Sequence, residues 1–294
     1  MIEFANSVAN GVLIGLLYAL VAMGFVVIYR ASKVFNFAQG ELMVFAAFLL
    51  WSIVLDRQFP LWMGVPLTII GAAICGYLLD RIFLSRLIAE SVFSMVMITV
   101  GLLILMRGLI IIIWGAESRP FPLVFPIQPI IIGDVIMARA LVIGAVITVL
   151  LAIGLHWFFG RTRTGLALTA ASEDQQVALS LGISVRRAMS LAWIIGAVIS
   201  AIAAIVYLSG RSLNLLASEI AFAALPVALL AGLESILGLI VAGILVGVAQ
   251  SLAQYYLDPL LGMNVASVVP FLLIIVILFV RPTGLFGWKT IERV

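Results

Sequence analysis

Val8-Ala-Asn-Gly-Val-Leu-Ile-Gly-Leu-Leu-Tyr-Ala-Leu-Val-Ala-Met-Gly-Phe-Val-Val-Ile-Tyr29 contains no charged residue and ends at Arg30. About 20 mostly apolar residues suffice for a helix to cross the hydrocarbon of a bilayer, so this run reads as a membrane span. Met1-Ile2-Glu3-Phe4 lacks the basic start of a cleavable signal peptide, and no small-residue cleavage site closes the run. The segment is therefore expected to stay in the mature protein.

Working outward, further apolar segments run over about 38–55, 61–79, 92–113, 139–159, 189–208 and 265–280. A longer one, 220–254, is interrupted at Gly232-Leu233-Glu234-Ser235 and reads equally as two short helices or a re-entrant hairpin. Apolar residues make up 65% of the chain and charged residues 10%, against about 45–50% and 25% in soluble domains. A globule in water needs a charged exterior, whereas hydrocarbon removes that need. The expected fold is an all-α integral membrane protein, a polytopic bundle of about eight transmembrane segments with one broken or re-entrant. Residues 1–294 form a single domain on this reading.

Charge placement tests an orientation. With the N-terminus outside, the inner side holds Arg30, Lys33, Arg81, Arg86, Arg161, Arg163, Arg186, Arg187, Arg281, Lys289 and Arg293. The outer side receives only Arg57, Arg119, Arg139 and Arg211, and Arg107 falls within a span. The basic residues are thus topology signals, which argues against nucleic-acid binding. Pro120, Pro122, Pro126 and Pro129 forbid a continuous helix over 115–138. The inner stretch 160–188 is polar enough for a cytoplasmic loop carrying a short amphipathic helix. Ser172 is its expected cap, Glu173 and Asp174 its first turn, and Gly182 its end. Asn36-Phe-Ala-Gln-Gly-Glu41 and Asn214 to Glu219 each precede an apolar, glycine-spaced run, a faint internal echo.

Little chemistry suggests itself. Gly284-Leu-Phe-Gly287-Trp-Lys289-Thr290 lacks the spacing of a phosphate-binding loop. His156 stands alone, and Cys75 lies in an apolar run as a packing residue. Ionisable groups in a span are more informative, because they are costly in hydrocarbon. Arg107 either pairs with an acid such as Glu117 or lies on a polar path. Glu41 opens its span directly after the break at 36–40, where it either opposes the helix dipole or lines a conduit with Asn36 and Gln39. Glu234 is judged similarly. Gln250 and Gln254, one turn apart, form a polar stripe expected to face protein. Gly11-Val-Leu-Ile-Gly15 and Gly243-Ile-Leu-Val-Gly247 are spaced for close helix contact.

Gly15-Leu-Leu-Tyr-Ala-Leu-Val-Ala-Met-Gly24 with Asn36-Phe-Ala-Gln-Gly-Glu41 resembles the start of bacterial LivH-type branched-chain amino acid ABC transporter permeases. Arg163-Thr-Gly165, Ala170-Ala-Ser-Glu-Asp174 and Leu181-Gly182-Ile183 are similar to that family's cytoplasmic loop. Val280-Arg-Pro-Thr-Gly-Leu-Phe-Gly287 is similar to its C-terminal signature. Gln39 stands where many members carry His. The resemblance implies half of an importer's translocation pathway, in the inner membrane of a bacterium, with the loop and C-terminus cytoplasmic. It implies as partners a second permease subunit of similar fold, two cytoplasmic ABC ATPases, a periplasmic or lipid-anchored substrate-binding protein and membrane lipid. No cofactor would bind this chain, ATP being used by the partner subunits, and the chain would be no enzyme. Arg161, Arg163, Glu173, Asp174 and Gly182 would couple to the ATPases. Urea or short amides are alternative substrates within such families, and a stand-alone channel or secondary transporter is the competing class.

Overall fold

The computed structural model describes residues 2–86 and 91–287. Lys289 and Arg293, counted above on the inner side, and the Lys289-Thr290 stretch lie outside them. Eleven α-helices appear in chain order: α1 (Ile2–Ser32), α2 (Gln39–Trp51), α3 (Leu61–Ile82), α4 (Val92–Trp114), α5 (Arg139–Arg161), α6 (Arg163–Glu173), α7 (Gln175–Ser180), α8 (Val185–Leu208), α9 (Glu219–Ala231), α10 (Ile236–Leu261) and α11 (Val269–Val280). Two two-stranded ribbons sit between them: β1 (Arg119–Pro120) pairs with β4 (Ser212–Leu213), and β2 (Ile130–Ile132) with β3 (Val135–Met137).

Seven helical segments among the described residues are long and apolar enough to cross a membrane, and two apolar ones, Leu215–Ala231 and Val269–Val280, are shorter. The 220–254 stretch does divide at its interruption, but only its first helix is short. It is the 13-residue α9 followed by the 26-residue α10. The break falls at Gly232, whose φ of +91° an L side chain rarely adopts, and Ser235 then caps α10 through the Gly238 N–H. The region 115–138 is indeed non-helical, and Gly133 (φ +60°) makes the β2–β3 turn.

α1 is the core. From Leu16 to Ile28 it is buried throughout, enclosed chiefly by α10, α8, α9 and α5. Its closest partner is α10, and the small-residue spacing explains why. Added Cβ atoms on Gly15 or Gly247 would overlap the backbone of Gly243 and Gly11 respectively, so the two glycine pairs of the sequence face one another. Lipid is no worse a solvent for leucine than protein is, so this backbone-close contact, rather than apolar burial, holds such a pair together. The outward faces of α4, α5 and α11 carry Ile112, Leu150 and Phe279 in exposed positions, as a bilayer-facing bundle requires.

Side-chain bonds identify the two ends. At one, Arg30 donates to Thr169 (3.4 Å), Lys33 to Glu173 (2.7 Å) and Glu234, and Arg186 to Ser85 (3.4 Å). At the other, Asn6 and Asn10 donate to the carbonyls of Asp134 and Ile136, Arg119 stacks over Trp51, and β1 meets β4. The arginine-rich and arginine-poor sides of the sequence are therefore opposite ends of the bundle.

Candidate functional site at the interrupted crossings

Two passages between these ends are not continuous helix. The first leaves α1 at Lys33 (φ +54°) and runs without helical bonds to Gln39, where α2 begins. A backbone group left bare in hydrocarbon costs several kcal/mol, so each must find a partner. Asn36 supplies two: its side-chain oxygen accepts the Ala38 N–H (3.0 Å) and its carbonyl the Gln39 N–H (3.3 Å). Thr99 of α4 donates to the Phe35 carbonyl (3.0 Å), and Ser32 accepts the Val34 N–H (3.2 Å). Gln39, 1% exposed, donates to Ser200 of α8 at 2.8 Å. Asn36 and Gln39, the first two expected pathway residues, thus sit fully buried, bonded within the bundle.

The second passage leaves α8 at Leu208 and reaches α9 through β4 and a 3₁₀ turn, Leu215–Ser218. Ser209 accepts the Phe125 N–H (3.1 Å), the Arg211 carbonyl accepts from Phe121 (3.3 Å), and Asn214 starts the turn. α2 and α9 begin next to each other. An added Cβ on Gly40 would lie 2.5 Å from the Ser218 carbonyl oxygen, so only glycine lets the two breaks meet.

Arg107 closes this meeting point. Its Nε and Nη2 both donate to Glu41 Oε1 (3.0 and 2.6 Å), and Nη2 also reaches Ser218 Oγ at 2.9 Å. The partner of Arg107 is therefore Glu41 and not Glu117, because α4 packs along α2 and turns that face inward. The Glu41 side chain is 2% exposed and that of Arg107 42%. Glu41 Oε2 has no hydrogen-bond partner among the described residues and borders a small cleft with Phe25, Phe37, Leu103 and Phe222.

At the arginine-rich end, 160–188 folds as two short helices rather than one. Asp174, not Ser172, is the cap: its backbone is extended and its side chain accepts the N–H groups of Gln176 and Val177 (2.9 and 3.0 Å). The Asp174 carboxylate at a kinked position satisfies two amides, while Ser172 turns back onto the Thr169 carbonyl (2.8 Å). Glu173 therefore ends α6 instead of opening a helix. Gly182 (φ +78°) does stop α7, and its neighbour Ile183 bonds back to Ala178. Arg163 and Gly182 line one open groove together with Ala167, Ile183 and Arg187, whereas Arg161 ends α5 exposed. Val177, Leu179 and Leu181 project from α7 and its end, each more than half exposed.

Lys33 ties this loop to both crossings. It bonds Glu173 of α6 at 2.7 Å and Glu234, in the α9–α10 turn, at 2.5 Å. Burial pulls its ammonium down, but the two carboxylates outweigh burial and hold it above its ordinary value. Lys33, Ser200 and Ser218 escaped the sequence reading, and only the position of Lys33 at a span's end signalled anything. Of the glutamine stripe, Gln250 is half-buried but Gln254 is exposed, lining an open cavity with Asn6 and Asn10 of α1. Among the described residues no cluster of three or more His, Cys, Asp or Glu could hold a metal ion.

A model of the family described as "Branched-chain amino acid transport system / permease component" matches residues 7–278. The chain is 28% identical to the high-affinity branched-chain amino acid transport system permease protein BraD of Pseudomonas aeruginosa, over 99% of this chain and 98% of that one. It is 29% identical to the corresponding LivH protein of Salmonella typhimurium, with the same coverage, and 24% identical to a probable LivH of Methanocaldococcus jannaschii, over 94% and 91%. No solved structure matches the chain significantly. With seven long apolar helices, two interrupted crossings joined at Glu41 and Arg107, and a family match over nearly its whole length, this multi-pass membrane protein belongs to the permease components of the branched-chain amino acid transport systems.

Proposed function

We propose that the chain is one permease subunit of a binding-protein-dependent ABC importer for branched-chain amino acids. The observation that carries the reading is the pair of interrupted crossings whose helix starts meet inside the bundle at Arg107, Glu41 and Ser218. Broken helices placed face to face are how many transporters set polar groups at membrane depth. The names of its relatives supply the substrate class, and none of those quoted refers to urea or an amide. That favours branched-chain amino acids over the amide alternative.

On this reading the arginine-rich end is cytoplasmic, the N-terminus is outside, and the membrane is the bacterial inner membrane. A second permease of similar fold completes the pathway, two ABC ATPases dock at α6 and α7, and an extracytoplasmic binding protein delivers substrate. ATP is consumed by those ATPases, and the chain itself binds no cofactor and catalyses no reaction. The exposed Val177, Leu179 and Leu181 beside Arg163, Arg161 and Gly182 offer the ATPases an apolar centre with a basic rim. Glu173 passes their movement through Lys33 to the α9–α10 turn, Asp174 keeps α7 in place, and Glu41 with Arg107 holds the pathway closed. Asn36 and Gln39 keep the first break rigid.

Mild-detergent purification of the tagged chain from its native membrane tests the assembly. Two ATPases and a second permease are expected to come with it, and the reconstituted complex is expected to import leucine, isoleucine and valine only with ATP and binding protein. Recovery of the chain alone across several detergents, with unaided amino-acid flux, would establish a self-sufficient carrier or channel instead. Replacing Glu173 by Arg is expected to abolish uptake while insertion persists, and normal uptake by that variant would remove it from the coupling route.

A further inference from the structure

A second polar place lies on the other side of the α9 start and belongs to none of the contacts above. Arg211 and Glu219 line one open cavity of about 340 Å³ with Leu17, Tyr18, Tyr207 and Ile220. Neither charge makes an ion pair among the described residues, and both are exposed. The Arg211 guanidinium rests 4.7 Å from the centre of the Tyr207 ring, which fixes its position without neutralising it. Depth makes this notable. Glu219 follows Ser218, which Arg107 contacts inside the bundle, and Tyr18 lies about 24 Å along α1 at 1.5 Å per residue. An ionisable side chain at membrane depth faces water, a ligand or protein and not lipid.

We infer that this cavity is a transient binding site for the zwitterion of an aliphatic α-amino acid, entered from the arginine-poor side. The inference rests on the function proposed above and adds a place to it. Arg211 offers the forked donor geometry that suits a carboxylate. Glu219 supplies the opposite charge for the ammonium group, and Leu17, Ile220 and the faces of Tyr18 and Tyr207 receive the branched side chain. The volume falls within the roughly 300–1,000 Å³ of small-molecule sites. One cation, one anion and an apolar wall also discriminate: an amine or a carboxylic acid with the same side chain leaves one of the two protein charges unmatched. The N-terminus of α9 lies at the same cavity, so residues that touch the ligand begin the helix that leads to Glu234 and Lys33.

The test uses the complete transporter in nanodiscs, without binding protein, carrying Cys75→Ser and Ala223→Cys. Ala223 lines the cavity and leaves both charges in place. A charged, membrane-impermeant methanethiosulfonate is expected to modify this thiol, L-leucine to slow the modification several-fold, and 3-methylbutylamine or 4-methylpentanoate to have little effect. Adding Arg211→Gln is expected to remove the protection. A thiol that stays unreactive, as when the second subunit seals the cavity, overturns the proposal, and so does equal protection by leucine, amine and acid. Uptake gives a second reading that does not need the cysteine. Arg211→Gln and Glu219→Gln transporters are expected to lose leucine import while still assembling and hydrolysing ATP on contact with loaded binding protein, and undiminished import by both overturns the site. Wild-type uptake by the same complex in proteoliposomes, with ATP and loaded binding protein, separates the two levels: leucine import without leucine protection defeats the cavity alone, and no leucine import defeats the function on which it rests.

Discussion

The two interrupted crossings have the same form and opposite finish. Each has an unwound leg leading to a 13-residue helix, α2 or α9. In the first, Asn36 of the break itself, Thr99 of α4 and the Gln39–Ser200 pair spend the polar side chains on one another and on the backbone, with Asn36, Gln39, Thr99 and Ser200 all buried. In the second, the pairing of β4 with β1 and a 3₁₀ turn satisfy much of the backbone through main-chain bonds, and Arg211 and Glu219 remain open to the outside. A break whose polar side chains are spent on buried bonds is a rigid structural joint. A break whose backbone is satisfied by main-chain bonds leaves its charged side chains free to meet something else.

That contrast can be broken at its strongest point. Glu41→Ala takes the carboxylate from the Arg107 guanidinium, and because that guanidinium is 42% exposed the loss falls below the roughly 3–5 kcal/mol of a fully buried pair. A large fall in the thermal midpoint of the purified complex is expected. Replacing both residues together, Glu41→Leu with Arg107→Met, is expected to recover much of the stability without recovering transport, and equal stability of the single and double variants would show that the pair holds nothing closed. Gln39→Leu is the next largest. Removing one interhelical hydrogen bond within a membrane bundle costs roughly 0.6–2 kcal/mol, so a moderate fall in the same midpoint is expected, with Ser200→Ala giving a similar loss and the double variant no more than either.

Lys33 joins the start of the first crossing to the end of the second, and its effect is smaller, at most about 1 kcal/mol for a half-exposed pair. Its sign with pH is fixed by its neighbours. The folded-state value lies above the ordinary 10.5, so the tie is fully present below pH 10.5 and lost as pH climbs through the higher folded value. The stability difference between wild type and Lys33→Gln is therefore expected to be flat around neutrality, to close only in strong alkali, and to shrink with added salt. A gap that closed below pH 9 would mean that another group carries the effect. The smallest change is expected at the open crossing: Glu219→Gln alters stability by no more than about 0.5 kcal/mol, as an exposed side chain should. A loss comparable to that of Glu41→Ala would erase the distinction between the two breaks.

Much of this architecture is legible in the sequence, for identifiable reasons. Length and uninterrupted apolarity mark α1, α3, α4, α5 and α8, because hydrocarbon thickness is a fixed ruler. Asn36 to Gly40 announces the first break, Gly232 the α9–α10 turn, and Gly11, Gly15, Gly243 and Gly247 a close contact. What the sequence withholds is direction. α4 is apolar on every side, so nothing in its pattern shows that Arg107 turns toward Glu41 rather than Glu117. Ser200 and Ser218 are small polar residues in apolar runs, and only their neighbours in space give them a part. The loop at 160–188 is readable as amphipathic, but whether Ser172 or Asp174 caps it depends on a kink that only tertiary packing imposes.

The glycine contact between α1 and α10 has a consequence for biosynthesis. α1 is the first of these helices to leave the ribosome, and it is also the one most completely enclosed in the finished bundle. Its backbone partner, Gly243 to Gly247, is made only after α2 to α9 have been synthesised. The nascent helix must therefore wait in lipid, or against a membrane chaperone, with its glycine seam uncovered, and a chain stopped before α10 leaves that seam without its native cover for quality control to find.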